Sequence, residues 1–121
     1  LGCAQLEQLP DLLALKRQLH DLYATALRGI DGVCMVQEPK NCQSNYWLQA
    51  LLLDEANAGA RDAILSATNG AGVMTRPAWT LLDELPMFAH CPRMELPVAQ
   101  SLASRLINIP STPSLARDRH G

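Results

Sequence analysis

Aromatic side chains are scarce in this 121-residue chain: two Trp, two Tyr and one Phe. Nearly half of the residues are still hydrophobic, at 48%, so Leu and Ala must fill most of any core. Lysine is rarer yet, confined to Lys16 and Lys40. Lys16 stands in a charged stretch and Lys40 in a polar turn, and neither has the apolar setting that would depress an amine for Schiff-base chemistry. The chain shows no signal peptide and no apolar run approaching the length of a membrane span, so no membrane association is expected. The net charge of -2 supplies no field for nucleic acid or an anionic surface. There is no C-x-x-C pair, P-loop, G-x-S-x-G or G-x-G-x-x-G. The four cysteines, Cys3, Cys34, Cys42 and Cys91, read as reduced thiols of a cytoplasmic protein, the alternative being a Cys34–Cys42 bridge across a hairpin.

What is present fits a single domain, long enough to bury roughly 65% of its unfolded surface. Residues 3–28 place Leu6, Leu9, Leu12, Leu13, Leu19, Leu22, Tyr23, Ala26 and Leu27 at helical steps, one face of a long helix. Pro10 predicts a kink or a restart, and Gly29 a C-cap. Val33–Gln37 and Ser44–Leu53 read as a hairpin around the polar turn at Pro39. Asn57–Thr68 predicts a helix stopped by Asn69-Gly70. Val73–Thr75 predicts a strand ended by Pro77, and Thr80–Leu85 one or two helical turns. Pro86, Pro92 and Pro97 punctuate an irregular segment. Val98–Leu106 predicts a helix with Pro97 at its first position, and Ile107–Leu115 an extended, turn-rich end. The fold class expected is α+β, a small antiparallel sheet with helices on one face. Its parts are a long linking helix over 1–29, a small domain over 30–115 and a polar tail over 116–121. The uncapped helical opening LGCAQLE suggests a piece of a longer protein, or otherwise a processed mature one.

Catalytic candidates are few. His20 has no second ligand at i+4 and reads as an exposed helix position. His90-Cys91 lacks a second pair at zinc spacing, so no metal is expected. Asp83 and Glu84 are helix neighbours that do not face each other, a poor acid–base pair. Arg76 remains, between Gly70-Ala-Gly72 and Trp79. It reads either as a surface arginine covering Trp79 or as a guanidinium fork gripping a phosphate or carboxylate. Trp79 and Tyr46 offer stacking faces or core side chains.

Four stretches in register carry a resemblance: LGCAQLEQL at 1–9, SNYWLQALLLD at 44–54, GVMTRPAWTLLDELPMF at 72–88 and RLINIPSTPSL at 105–115. Together they resemble the C-terminal region of the DegT-type sugar aminotransferases, nearest to the branch linked with legionaminic and sialic-acid-like sugars and to perosamine synthetase relatives. The resemblance implies the small C-terminal domain of an aspartate-aminotransferase-type fold. It implies a pyridoxal phosphate (PLP) enzyme that moves an amino group, usually from glutamate, to a nucleotide-linked keto sugar in cell-surface polysaccharide biosynthesis. It also implies a homodimer with its active site between subunits. The family's cofactor lysine would lie before Leu1, so the piece alone would be inactive and hold no cofactor. By the same resemblance Arg76 approaches the substrate, with Asn45 and Tyr46 bordering it, while Asp83 stands where relatives often have His. The competing reading is a free-standing α+β interaction module without catalysis.

Overall fold

A computed structural model describes residues 2–117. Helix α1 (Gly2–Glu7) and helix α2 (Leu9–Ala26) meet at Gln8. Pro10 lies in the first turn of α2, where its missing N–H has no intrahelical partner to lose. The proline therefore acts as a restart. Gly29 follows the helix end at φ 86° and Gly32 sits at φ 82°, both in the left-handed region open to glycine. A Cβ at Gly32 would run into the Asn57 side chain.

Strand β1 (Val33–Met35) pairs antiparallel with β2 (Gln49–Leu53), Cys34 opposite Leu52. A 3₁₀ turn over Glu55–Ala60 leads into helix α3 (Arg61–Gly70). Strand β3 (Arg76–Pro77) follows, then short 3₁₀ turns at Leu82–Glu84 and Pro86–Phe88. Helix α4 (Pro97–Arg105) runs straight into strand β4 (Leu106–Ile109), and helix α5 (Ser114–Arg117) closes the described chain. The sheet order is β1-β2-β4-β3, antiparallel throughout. The α+β class and the antiparallel sheet expected from the sequence are what the structure shows.

Two strand placements are corrected. The second strand begins at Gln49, not Ser44. Two side-chain turns bend the preceding residues: Ser44 Oγ accepts the Tyr46 amide and Asn45 Oδ1 the Trp47 amide, each at 3.0 Å. Tyr46 lies between them at φ 45°, and these local bonds compete with the sheet ladder. The third strand lies one step later than expected, and Pro77 is inside it. It is an edge strand, where a residue without a donor is tolerated. Residues 73–75 instead run irregularly to Thr75, which is buried by bonds from Thr68 and Asn69. The end read as extended and turn-rich holds strand β4 in the middle of the sheet, and its Ile107 is fully buried against β2. Ala116, assigned to the polar tail, is also buried; residues 118–121 of that tail lie outside the described residues. All four cysteines are free and exposed, so no bridge joins Cys34 and Cys42.

Candidate functional site

Helix α2 brings Leu19 and His20 into the core. His20 is 3% exposed, which overturns the expectation of an exposed helix position. It is tolerated because both ring nitrogens are partnered: Nδ1 lies 3.1 Å from Gln49 Oε1 and Nε2 3.2 Å from Gln37 Oε1. Tyr46 stacks on it, ring centroids 4.1 Å apart at 19°, and the Arg17 guanidinium stands 5.5 Å from the Tyr46 centroid. Burial raises the Tyr46 hydroxyl above its ordinary pKa of 10.0. Arg17 in turn holds Glu38 through two parallel bonds of 3.2 Å and also donates to the Ser44 carbonyl. The Arg17 bonds, followed by the Ser44 amide, hold the Glu38 carboxyl below its usual value. Tyr46 thus belongs to a structural knot under the 44–48 bend, and Asn45 is exposed beside it, capping the turn that sets Trp47.

On the β3 side of the sheet lies an open groove of about 710 Å³. Arg76, at the sheet edge opposite Asn108, lines it together with Trp79. Trp47 is 65% exposed and Trp79 71% exposed, and their rings stack at 6.1 Å and 26°. Arg76 Nη1 donates to Asn69 Oδ1 at 3.0 Å and to the Thr75 carbonyl at 2.9 Å. These bonds hold the guanidinium at its base, and its Nε and Nη2 have no partner among the described residues. Lys16 also lines the groove. Its Nζ donates to the carbonyls of Trp47 at 2.8 Å and Ser111 at 2.9 Å, and burial lowers its pKa. The ammonium therefore ties together the 44–48 bend and the 110–113 loop, two walls of the groove. Gln49 reinforces them: its amide donates to Ser111 Oγ at 2.8 Å, and its Nε2 to the Lys16 carbonyl at 3.1 Å. No carboxylate lines the groove among the described residues.

Of the three candidates from the sequence, the structure brings Arg76 to the groove and leaves Asn45 and Tyr46 behind it, reaching it only through Trp47. Lys16 and Trp47 were missed as site residues. A signal for Lys16 existed, because it stands in step with Leu12, Leu19 and Tyr23 on the apolar stripe of the helix. Asp83 borders a separate apolar hollow of about 470 Å³, with Phe88 and Leu96. Its Oδ2 is 3.6 Å from Arg93 Nη1, and its buried Oδ1 has no partner among the described residues. Asp83 thus pairs with Arg93. No three His, Cys, Asp or Glu side chains converge as metal ligands among the described residues.

A cationic, aromatic groove thus lies at the edge of the small antiparallel sheet of an α+β module. The chain belongs to the DegT/DnrJ/EryC1/StrS aminotransferase family, which it matches over residues 1–120. It is 28% identical over 120 residues to the GDP-perosamine synthase of Vibrio cholerae, covering 98% of this chain and 32% of that protein. It is 30% identical over 125 residues to the putative pyridoxal phosphate-dependent aminotransferase EpsN of Bacillus subtilis, covering 100% of this chain and 32% of that one. The crystal structure of the sugar aminotransferase CalS13 from Micromonospora echinospora matches with a TM-score of 0.80 at 26% identity, covering 97% of this chain and 30% of that one. The chain therefore spans about a third of the length of the relatives it matches.

Proposed function

We propose that this chain forms the substrate-facing wall of a PLP-dependent aminotransferase that transfers an amino group, with glutamate as donor, to a nucleotide-linked keto sugar destined for surface polysaccharide. Arg76 carries this reading: it is anchored by Asn69 and Thr75 on one nitrogen and presents the rest of its fork to an open groove. Such a fork suits a phosphate oxygen pair. Family membership and the names of the relatives support the reaction class.

PLP supplies an electron sink to the amine being transferred, and it needs a protein amine and a phosphate cradle to hold it. The described residues do not fit that role. Lys16 has its ammonium committed to two carbonyls, and Lys40 is exposed in the polar turn after Pro39. The 121-residue chain by itself is therefore expected not to transaminate. What its residues contribute is binding and orientation: Arg76 neutralises anionic oxygens, and the two indoles exclude water from one side of the groove. The working enzyme is proposed to be a cytoplasmic homodimer, where the four free thiols stay reduced.

The test is Arg76→Met in the complete enzyme. Losing one charge-assisted contact, worth about 1.5–3 kcal/mol, lowers kcat/KM for the nucleotide-linked keto sugar by about 10- to 150-fold. Most of the loss falls in KM, and the PLP absorbance band is retained. Unchanged kinetics would remove Arg76 from the substrate site.

A further inference from the structure

Arg76 stands at the end of a chain of polar side chains that starts on helix α3. The last three residues of that helix are Thr68, Asn69 and Gly70, all with low helical preference. The loop beyond turns back at Gly72, φ 80°. The Gly72 amide donates to the Asn69 carbonyl at 3.0 Å and the Val73 amide to the Thr68 carbonyl at 2.8 Å. This return sets Thr75, 2% exposed, against the Thr68 and Asn69 side chains. Asn69 Nδ2 lies 2.7 Å from the Leu65 carbonyl and 3.0 Å from the Thr75 carbonyl. Carbonyls only accept, so the amide nitrogen faces them and Oδ1 faces Arg76, whose Nη1 donates to it at 3.0 Å. A flipped amide would set its oxygen against two carbonyls and its nitrogen against a guanidinium. Nδ2 is also 2.9 Å from Thr75 Oγ1. No hydroxyl proton is idle when Thr75 donates to Thr68 Oγ1 at 2.6 Å and Thr68 to the Ile64 carbonyl at 2.7 Å. The second Nη1 proton of Arg76 goes to the Thr75 carbonyl at 2.9 Å. Both Nη1 protons are thus taken, and the edge left over is Nε–Nη2, two parallel donors.

We propose that Asn69 is a positioning residue: the Thr68–Asn69–Thr75 chain fixes Arg76 in place before a ligand arrives and selects its Nε–Nη2 edge for the groove. This rests on the reading of Arg76 as a substrate contact and adds the part that aims it. An exposed arginine is otherwise free to change rotamer, and ordering it on binding weakens affinity. Here the ordering is already done in the free protein, by groups that are themselves ordered. Thr75 is buried and Thr68 is bonded back to its own helix. The chain ends at Arg76 and at no other charged group among the described residues. Asn69 never touches the substrate in this arrangement and acts only through the guanidinium.

The experiment compares Asn69→Ala, Arg76→Met and the two combined in the complete enzyme. Asn69→Ala is expected to raise KM for the nucleotide-linked keto sugar by about three- to tenfold, the effect of one long side chain left unordered, with kcat within about twofold. In the Arg76→Met background the same change is expected to move KM by less than about twofold, because nothing is left to aim. Thr75→Val, which deletes the hydroxyl, is expected to raise KM in the same direction, and Thr75→Ser to reverse that rise. A second readout needs no substrate. Phenylglyoxal, which adds to the terminal nitrogens of a guanidinium, is expected to label Arg76 at least about threefold faster in Asn69→Ala than in wild type, since Nη1 has lost an acceptor. Labelling of Arg93, read in the same peptide masses, should not change. An equal rise in KM with and without Arg76 makes Asn69 a purely structural residue and overturns the proposal, as does unchanged labelling of Arg76. An impaired Arg76→Met beside an unimpaired Asn69→Ala sinks the positioning role alone. Arg76→Met with wild-type kinetics sinks the substrate reading, and labelling then still decides whether Asn69 holds the guanidinium.

Discussion

Gln49 shows how much one polar side chain can settle inside a small core. It is fully buried, and each end of its amide has a fixed partner. Because Nε2 donates to the Lys16 carbonyl, Oε1 faces His20 and the histidine proton sits on Nδ1. On the other side of the ring, Nε2 lies 3.2 Å from Gln37 Oε1. Gln49→Leu leaves His20 Nδ1 without its acceptor and the Lys16 carbonyl without a second donor. It should cost about 1–3 kcal/mol of unfolding free energy, and an unmoved urea midpoint would contradict this. Glu38 gives a pH-dependent counterpart. Its carboxyl is depressed in the folded state by Arg17 and the Ser44 amide, so its stabilisation is present above the ordinary glutamate value of 4.5 and lost as pH falls through the depressed folded value. Acid unfolding curves of wild type and Glu38→Gln should therefore converge below pH 4 (about the carboxylate range) and separate at neutral pH. Parallel curves would show that the Arg17 pair contributes nothing, as many half-exposed pairs do.

Strand β4 is the element on which the sheet depends. It is flanked by β2 and β3, and Ile107 pairs with Leu51 on one side and Pro77 on the other. Ile107→Ala should destabilise by about 2–5 kcal/mol and Ile107→Val by about 0.5–1.5. Equal effects of the two in thermal melts would mean the site collapses around the gap. The strand was hard to read from INIP because it follows α4 without a loop and four residues give too few periods to recognise. The bend at 44–48 was hidden for a different reason. Within SNYWLQALLL the neighbours Tyr46 and Trp47 alternate, one buried and one exposed. The alternation comes from two consecutive side-chain turns, however, and the sheet starts only at Gln49. The restart at Pro10 was legible, since a missing donor acts locally, whereas α3 runs on through Asn69 and Gly70 and the left-handed glycine beyond its end is Gly72.

At the scale of the whole chain, the exposed apolar side chains gather between residues 82 and 98: Leu82, Met87, Met94 and Val98 are each at least 70% exposed. Leu6 and Leu9 on the first two helices add to them. Exposed apolar side chains of this kind favour association. Sedimentation of the 121-residue chain should show concentration-dependent self-association, and Met87→Ser with Met94→Ser should shift it towards monomer. A single sharp boundary at the monomer mass for the wild type would exclude that role for the surface. Much of helix α2, by contrast, is half-buried against the sheet and α5, and its buried His20 is satisfied.

The order of the elements as far as α4, the turn at Gly29, the poverty of catalytic groups and the four stretches of family resemblance were all written in local composition and spacing. They depend on residues within a turn or two of each other, whose propensities and steric limits act without the rest of the molecule. Which side chains share a site was a matter for tertiary structure alone. Lys16, Trp47, Arg76 and Ser111 are separated by up to 95 positions, the span of the Lys16–Ser111 bond, and only the pairing of β4 with both β2 and β3 places them around one groove. Tyr46 is buried for the same reason: its partner His20 approaches from a helix that the local sequence cannot locate.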